Sequence, residues 1–297
     1  MIEKFQGSIV ALVTPMRASG AIDWPALDAL IDWHLQSGTH GIVAVGTTGE
    51  SAVLEVDEHL DVIRRCVQRS NGALPIIAGT GANSTSEAEH LSRQAEELGA
   101  DALLQVTPYY NKPTQSGLRA HFEAIAESVS LPIILYNVPS RTACDLLPET
   151  VAQLSENPRF ISVKEASGDV GRVSQILASC RKRFEVLSGE DGLAAKMLAL
   201  GAVGVISVTA NVVPSLMARL CEARARGDSE EMERIDTRLQ PLHEAMFVES
   251  NPIPVKWALH HMGRIDAGIR LPLQALSVAK RAQVESSIDA MLSEGCL

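Results

Sequence analysis

Aromatic side chains are scarce in this chain of 297 residues: Phe, Trp and Tyr together make up 4% of it, and only three residues are tyrosine. A core with so few rings must be filled by Ala, Val, Leu and Ile, which suits helices packed on a parallel sheet. With 46% hydrophobic and 21% charged residues, the composition is otherwise that of an ordinary globular protein. The length allows one large α/β domain or two average ones.

Excess positive charge, a long apolar run and paired cysteines are also missing. The formal net charge of −10 argues against nucleic acid or an anionic membrane as a partner, because both require a basic face. The longest apolar stretch, residues 198–213, contains Gly, Ser, Thr and Asn and is too short to cross a bilayer. The five cysteines form no Cys-x-x-Cys pair, and residues 1–7 contain no apolar signal sequence. We therefore expect a cytoplasmic protein with reduced thiols.

Short apolar runs recur at nearly even intervals and are separated by helical patterns such as residues 24–36, 57–69 and 85–98. The runs are residues 8–14, 41–45, 75–79, 102–107, 132–136, 160–164, 185–188 and 203–208. Eight strands alternating with helices predict a (β/α)₈ TIM barrel, here over residues 1–228. A doubly wound sheet is the structural alternative, but it usually has fewer strands, and no Gly-x-Gly-x-x-Gly follows the first run.

The last part of the chain, residues 229–297, contains no further strand pattern. Helical patterns cover residues 229–247, 253–262 and 273–292. We expect a C-terminal helical region that packs on the barrel or on a neighbouring subunit.

Polar residues collect where the predicted strands end, which is the edge of such a barrel that carries the chemistry. All three tyrosines lie there: Tyr109 and Tyr110 follow the fourth strand, and Tyr136 ends the fifth. Tyrosines at strand ends can simply cap a core with their hydroxyl groups in water. For all the tyrosines of a tyrosine-poor chain, beside Thr47-Thr48 and Lys164, a functional cluster is the better interpretation.

Lys164 directly follows the apolar residues 160–163, so it belongs to the sixth strand rather than to a loop. Burial of an unpaired ammonium is costly, and burial therefore favours the neutral amine. A neutral, desolvated lysine amine is the nucleophile that forms a Schiff base with a carbonyl. The alternative, from the residues alone, is an ordinary ion pair with a carboxylate such as Glu165.

Three other strand-end features fit carbonyl chemistry. Tyr136 ends the strand next to that of Lys164, about 4.8 Å away, so its phenol can move protons at a bound substrate, and Thr47 can hydrogen-bond the phenol. Gly46-Thr47-Thr48-Gly49 is a turn with exposed backbone N–H groups, suited to a carboxylate. Arg141, after a proline, can bind a second carboxylate with both arms of its guanidinium, although a single loop arginine is more often a solvated surface residue.

A metal site and a serine hydrolase are both disfavoured. None of the eight histidines lies at a strand end, and no His-x-His or Cys/His cluster occurs. We therefore expect no metal and no metal-dependent aldol reaction. The strand-end serines also lack the histidine partner that a Ser-His-Asp hydrolase needs.

Three motifs resemble the 4-hydroxy-tetrahydrodipicolinate synthase (dihydrodipicolinate synthase) family. They are Gly46-Thr47-Thr48-Gly49-Glu50-Ser51, Tyr136-Asn137-Val138-Pro139-Ser140-Arg141-Thr142 and Val163-Lys164-Glu165-Ala166-Ser167-Gly168. The resemblance extends over nearly the whole chain, from Gly7-Ser8-Ile9-Val10 through Asn251-Pro252-Ile253-Pro254-Val255-Lys256-Trp257 to Arg270-Leu271-Pro272. It implies a barrel enzyme that condenses pyruvate with L-aspartate 4-semialdehyde in lysine and diaminopimelate synthesis.

The resemblance also implies a role for each matching residue. Lys164 would form the imine with pyruvate, so that no separate cofactor is needed. Tyr136 would donate and accept protons, and Thr47 together with Tyr110 of a neighbouring subunit would complete its relay. Substrate binding would fall to Thr48, Gly189, the backbone near Ile206, and Arg141. The arginine would bind the carboxylate of the semialdehyde. The family is typically a homotetramer built as a dimer of dimers.

The same family often has a lysine feedback site at a subunit interface. The matching residues are Ser51, Ala52, His59, Asn83, Glu87 and Tyr109. Val56 departs from the family pattern, because the sensitive enzymes commonly have a histidine there. We therefore expect lysine to bind weakly or not at all.

Two other functions remain open from the sequence. N-acetylneuraminate lyases and 2-keto-3-deoxy sugar-acid aldolases share the Schiff-base mechanism, but they need polar groups for a polyhydroxy chain rather than Arg141 for a distal carboxylate. The Thr47-Thr48 and Tyr109-Tyr110 pairs also favour the semialdehyde. A non-catalytic metabolite sensor is the other alternative, and it would have no need of an imine-forming lysine.

Overall fold

The computed structural model describes residues 3–293, so residues 1–2 and 294–297, which include Cys296, lie outside it. Parallel strands pair in chain order and close on themselves, with the first strand bonded to the eighth. The strands are β1 (Gly7–Ala11), β2 (Gly41–Ala44), β3 (Ile76–Gly79), β4 (Ala102–Val106), β5 (Ile133–Asn137), β6 (Phe160–Glu165), β7 (Glu185–Ser188) and β8 (Gly204–Ser207). The predicted (β/α)₈ barrel is confirmed.

Helices follow the strands and cover the outside of the barrel. They are α1 (Trp24–Gln36), α2 (Val56–Ser70), α3 (Thr85–Glu97), α4 (Gln115–Ser128), α5 (Pro139–Thr142), α6 (Pro148–Ser155), α7 (Gly171–Ser179), α8 (Ala194–Ala199) and α9 (Pro214–Arg226). Side chains define several starts: Asp23 accepts a hydrogen bond from the backbone N–H of Ala26, and Ser84 accepts one from that of Glu87. These caps satisfy backbone donors that the first helical turn leaves open.

Two shells of apolar side chains result from the alternation along each strand. In β1, Ile9 and Ala11 point into the barrel, whereas Val10 packs against the surrounding helices. In β5, Ile134 and Tyr136 belong to the inner shell. The inner shell fills the lower part of the barrel and leaves its top, at the carboxyl ends of the strands, open to polar residues.

Three more helices complete the chain: α10 (Ser229–Ala245), α11 (Ile253–His261) and α12 (Val278–Ser293). α10 packs on α9 and on the turn after β7, while α11 and α12 pack against each other. The helix predicted over residues 273–292 was wrong at its start, because α12 begins only at Val278. In the segment before it, Leu276 is buried and its carbonyl oxygen accepts a hydrogen bond of 3.1 Å from Arg281 Nε. Within residues 3–293, none of the helices combines the length and the apolar character that a membrane crossing requires.

The predicted first strand also ends early, at Ala11 rather than at Thr14. The backbone N–H of Val13 donates to Asn211 Oδ1 over 3.0 Å, and Thr14 Oγ1 donates to the carbonyl of Gly49 over 2.7 Å. These residues therefore bind the loops at the top of the barrel instead of extending the sheet. Of the cysteines within the described part, Cys66, Cys144, Cys180 and Cys221 are free thiols.

Candidate active site

A cavity of about 360 Å³ opens at the carboxyl ends of the strands. Most of the residues predicted for catalysis and substrate binding line it: Thr47, Thr48, Tyr136, Arg141, Lys164 and Gly189. Ile206 and Tyr110 are the predicted residues that do not. Ile206 is buried in the inner shell, and Tyr110 is 89% exposed.

Lys164 and Tyr136 face each other across the pairing of β5 with β6. The two residues are direct partners in the register, so their side chains leave the sheet on the same side. The Nζ of Lys164 lies 4.0 Å from the centroid of the Tyr136 ring. Both residues are 6% exposed, and within residues 3–293 no hydrogen bond or ion pair engages the lysine amine. The amine therefore meets the cavity beside a phenol and without a carboxylate.

Glu165, the alternative partner of Lys164, points to the other face of β6. Its carboxylate accepts hydrogen bonds from Asn137 Nδ2, at 3.2 and 3.3 Å, and from the backbone N–H of Ser167, at 2.8 Å. Burial raises the pKa of Glu165, and the hydrogen bonds from Ser167 and Asn137 oppose that shift. Its position outside the barrel leaves Lys164 without this carboxylate.

The turn after β2 presents the two threonines. Thr47–Gly49 form a single 3₁₀ turn, in which Thr48 is buried and Thr47 is half-buried. Gly79 makes room for this turn, because a Cβ there would lie 2.4 Å from the carbonyl oxygen of Val45. Thr48 Oγ1 accepts a hydrogen bond of 2.9 Å from Asn251 Nδ2. The threonine hydroxyl is thus oriented by a residue from the C-terminal segment.

A buried ion pair anchors this turn to the C-terminal helices. Glu50 follows the turn in a left-handed conformation, and its carboxylate pairs with the ammonium of Lys256. Arg270 adds a bidentate pair with Glu58 in α2, with both N···O distances at 2.6 Å. Burial lowers the pKa of Lys256, and the carboxylate of Glu50 opposes that shift.

Arg141 lies in α5, a helix of four residues that starts at Pro139. The sequence predicted a loop at this position, but the proline fixes a helical φ and begins a short turn. The guanidinium lies at the edge of the cavity, where its Nη2 donates to the carbonyl oxygen of Asn251 over 3.5 Å. A guanidinium has five donor hydrogens, so this one contact leaves capacity for an anionic ligand.

Gly189 brings the end of β7 close to the lysine. A Cβ at this position would lie 3.1 Å from Lys164 Cε and 2.7 Å from Ala166 Cβ. Only a residue without a side chain leaves the lysine stem free to move at this point.

The residues predicted for lysine binding lie outside the cavity and are only partly grouped. Asn83 Nδ2 donates to the Tyr109 carbonyl over 3.2 Å. Burial, with a smaller effect of the Glu87 carboxylate, raises the pKa of Tyr109. His59 is instead buried, with its Nε2 2.8 Å from the Gly79 carbonyl oxygen, and burial lowers its pKa. Val56, at the start of α2, is 43% exposed.

Sequence reasoning missed one wall of the cavity, which comes from α10 and the segment after it. Gln240, His243, Glu244, Phe247 and Asn251 all line the cavity. His243 Nδ1 lies 2.9 Å from Thr209 Oγ1, and burial lowers the pKa of this histidine. These residues follow the last strand of the barrel, so a search for polar residues at the ends of predicted strands does not find them. The only sequence signal was the resemblance of the segment from Asn251 to Trp257.

Comparison with known proteins gives one consistent result. The model of the dihydrodipicolinate synthetase family matches residues 4–291. The 4-hydroxy-tetrahydrodipicolinate synthase of Saccharophagus degradans is 57% identical over 285 residues, which cover 96% of this chain and 98% of that protein. The one from Pseudomonas aeruginosa is 59% identical over 271 residues, with 91% and 93% covered. A dihydrodipicolinate synthase of Acinetobacter baumannii, solved in complex with pyruvate, superposes with a TM-score of 0.95 at 49% identity and covers 98% of this chain and 99% of its own.

Proposed function

Because the chain belongs to the dihydrodipicolinate synthetase family, we propose that it condenses pyruvate with L-aspartate 4-semialdehyde to 4-hydroxy-tetrahydrodipicolinate. The observation that carries this function is the amine of Lys164 at 4.0 Å from the Tyr136 ring, inside a cavity at the top of the barrel. A lysine in this position can bind a keto acid covalently without any other cofactor.

The reaction starts when the Nζ lone pair of Lys164 attacks C2 of pyruvate. The carbinolamine that forms loses water to give the imine, and loss of a methyl proton gives the enamine. The enamine carbon forms a C–C bond with the aldehyde carbon of the semialdehyde. The amino group of that substrate then attacks C2, closes the ring and displaces the lysine amine.

The residues around Lys164 transfer protons and bind the two substrates. Tyr136 exchanges the protons of the carbinolamine and imine steps, with Thr47 next to it in the relay. The hydroxyl of Thr48, together with Gly189 and the backbone near Ile206, holds pyruvate. Arg141 binds the carboxylate of the semialdehyde, since a guanidinium matches a carboxylate in two hydrogen bonds.

The proposal includes a homotetramer in which Tyr110 completes the relay of a neighbouring subunit. Tyr110 is 89% exposed, has a φ of 76° and is not among the residues that line the cavity of its own chain. A non-glycine residue in this backbone region is strained, which fits a side chain displayed for a partner. A cytoplasmic location belongs to the same proposal.

The sugar-acid aldolases remain the closest alternative chemistry. Several curated relatives between 55% and 60% identical are named 4-hydroxy-tetrahydrodipicolinate synthase, which favours the semialdehyde. Arg141 at the edge of the cavity supports the same choice. Parallel assays of condensation with the semialdehyde and of N-acetylneuraminate cleavage distinguish the two activities. A metabolite sensor would show neither.

Borohydride trapping tests the central step. Incubation with pyruvate and borohydride should add the mass of a reduced pyruvyl group to Lys164, and Lys164→Ala should abolish both the adduct and the activity. Lys196→Ala, at an exposed lysine of α8, is the matched control and should keep both. An adduct on another lysine, or none, would refute the mechanism.

We also propose that feedback by lysine is weak. Val56 offers no hydrogen bond at the position where the sensitive relatives have histidine, although Asn83 and Glu87 can still contact an amino acid. Activity should persist in millimolar lysine, and Val56→His should increase inhibition. Strong inhibition of the unmodified protein below millimolar lysine would contradict this proposal.

A further inference from the structure

Charged groups of both signs share the cavity wall. The basic side chains are those of Lys164 and Arg141, and the carboxylates are Glu190, Asp191 and Glu244. Pyruvate and an imine-forming lysine do not require carboxylates, which repel a keto acid. Carboxylates in the same cavity as Arg141 therefore fit a ligand that carries a positive charge as well as a negative one.

Glu190 is the carboxylate best placed among the three. It directly follows Gly189, where an added Cβ would lie 3.1 Å from Lys164 Cε, so its backbone is next to the reacting lysine. The Ser188 hydroxyl fixes this turn, because it donates to the Glu190 carbonyl over 2.9 Å and accepts from the Glu190 N–H over 3.2 Å. The side chain is half-buried, and no Lys or Arg within residues 3–293 forms an ion pair with it.

The surroundings of Glu190 are poor in compensating charge. Burial raises its pKa, and the contact that opposes this shift is the backbone N–H of Gly168. Glu244, by comparison, is exposed on α10, where water screens its charge. A carboxylate that is partly desolvated and unpaired binds a cation more strongly than one in water.

Asp191 supplies an independent sign of an unfilled polar position. It is 2% exposed and lines the cavity, and its Oδ2 accepts hydrogen bonds of 2.9 Å from the backbone N–H groups of Val208 and Thr209. Its Oδ1 is buried without a hydrogen-bond partner among the described residues. Asp191 directly follows Glu190 in the chain, so its carboxylate adds negative potential to this part of the cavity lining.

We propose that Glu190 forms the ammonium subsite for the second substrate, in the same cavity as the carboxylate subsite of Arg141. This inference rests on the proposed function. An α-amino acid semialdehyde is a zwitterion, so one cation and one anion at the edge of the cavity fix both of its charged groups. The aldehyde is then directed to the lysine-bound keto acid. Before ring closure the ammonium gives a proton to the Glu190 carboxylate, and the neutral amine then attacks C2.

A carboxylate at Glu190 also explains how the cavity would distinguish an amino acid semialdehyde from a polyhydroxylated substrate. A polyhydroxylated keto acid or its aldehyde carries no positive charge and would leave Glu190 unpaired in a half-buried position. A hydrogen bond that involves a charged group is roughly twice as strong as one between neutral groups. Glu190 is therefore a specificity-determining residue for the amino group of the substrate.

The test uses Glu190→Gln in the full-length protein, with Glu233→Gln, at an exposed position of α10 outside the cavity lining, as the matched comparison. Two probes differ only in the amino group: L-aspartate 4-semialdehyde as substrate and 4-oxobutanoate as competitive inhibitor. Glu190→Gln should raise KM for the semialdehyde about tenfold or more, because a charge-assisted contact is lost. The inhibition constant of 4-oxobutanoate, KM for pyruvate and the rate of borohydride trapping should stay within about twofold. Glu233→Gln should leave all four values close to those of the unmodified protein.

Every result of this comparison supports or overturns the subsite. Equal weakening of both probes, or no change in either, overturns it, as does an equal effect of Glu233→Gln. A normal trapping rate shows that the variant is folded, and Glu190→Asp should recover part of the semialdehyde affinity. Failure of the unmodified protein to form a pyruvate adduct would instead refute the proposed function, which keeps the two failures distinct.

Discussion

Asn251 donates a hydrogen bond of 2.9 Å from Nδ2 to Oγ1 of Thr48, although 203 positions separate the two residues along the chain. The backbone carbonyl of the same asparagine accepts from Nη2 of Arg141 over 3.5 Å. Asn251, in the segment that follows α10, thus contacts both side chains that are proposed to hold substrate carboxylates. Asn251 is itself 6% exposed, so these contacts are formed away from bulk water.

We predict that Asn251→Ala raises KM for pyruvate about fivefold, because a net hydrogen bond stabilises by roughly 0.5–1.5 kcal/mol. The Thr48 hydroxyl would lose its fixed orientation, while Lys164 and Tyr136 would be unchanged. Steady-state kinetics with pyruvate as the varied substrate measures the effect. Ser250→Ala, at an exposed neighbour, is the control. An unchanged KM in a folded Asn251→Ala protein would show that Asn251 does not orient Thr48.

Gly189→Ala should slow pyruvate adduct formation by about ten- to a hundredfold, since small displacements of a reacting group cost that much. The added methyl would meet Ala166 Cβ at 2.7 Å and Lys164 Cε at 3.1 Å. Gly192→Ala is the matched control, because its nearest neighbour atom would be Gln240 Oε1 at 3.7 Å. Trapping at the normal rate in Gly189→Ala would mean that the lysine stem has more room than the geometry indicates.

Lys256→Met should destabilise the protein by about 3–5 kcal/mol, because it leaves the Glu50 carboxylate buried without its cation. The two side chains are 4% and 0% exposed, so water cannot replace the lost partner. The double variant Glu50→Gln, Lys256→Met should regain much of this stability, since Gln can still accept from the Arg270 N–H. Urea unfolding compares the three proteins, and equal losses in single and double variants would contradict the pairing.

The stability of the protein should fall as the pH drops below about 6.5, which is the pKa of histidine in the unfolded chain. Burial lowers the pKa of His34 to about 3 and, with less burial, that of His121 to about 4. At a pH between the histidine pKa of the folded protein and that of the unfolded chain, the unfolded chain binds more protons. Acid therefore favours unfolding. The stabilisation that these neutral histidines provide is complete at a pH above the histidine pKa of the unfolded chain. It is lost progressively below that pH.

Thermal midpoints between about pH 8 and about pH 5 test this dependence. His34→Gln should make the midpoint less sensitive to acid, whereas His90→Gln, at an exposed position of α3, should leave the dependence unchanged. An identical acid dependence in His34→Gln and the unmodified protein would assign the effect to other groups.

Sequence alone predicted those features that short-range chemistry determines. The helix at Trp24–Gln36 has the predicted bounds, because Asp23 caps its start and its apolar face is periodic. The placement of Lys164 in β6 followed equally from the apolar run before it. The direction of the Lys164 side chain could not be predicted from that run, since only the pairing with Tyr136 shows on which face of the strand it lies.

The contribution of α10 was beyond sequence reasoning for a different reason. His243 and Asn251 reach the cavity through the tertiary packing of a region that follows the last strand, so no strand-end rule applies to them. Arg141 lies in a helix rather than in a loop, because a single turn after Pro139 is too short to show a periodic pattern.

The order of these parts along the chain has a consequence for synthesis. β8 ends at Ser207, whereas the cavity wall needs Asn251 and the turn of Thr48 is anchored through Lys256. A nascent polypeptide therefore holds all the strands of its barrel well before it holds a complete pocket. The pocket can therefore be completed only after the segment through Lys256 has been synthesised.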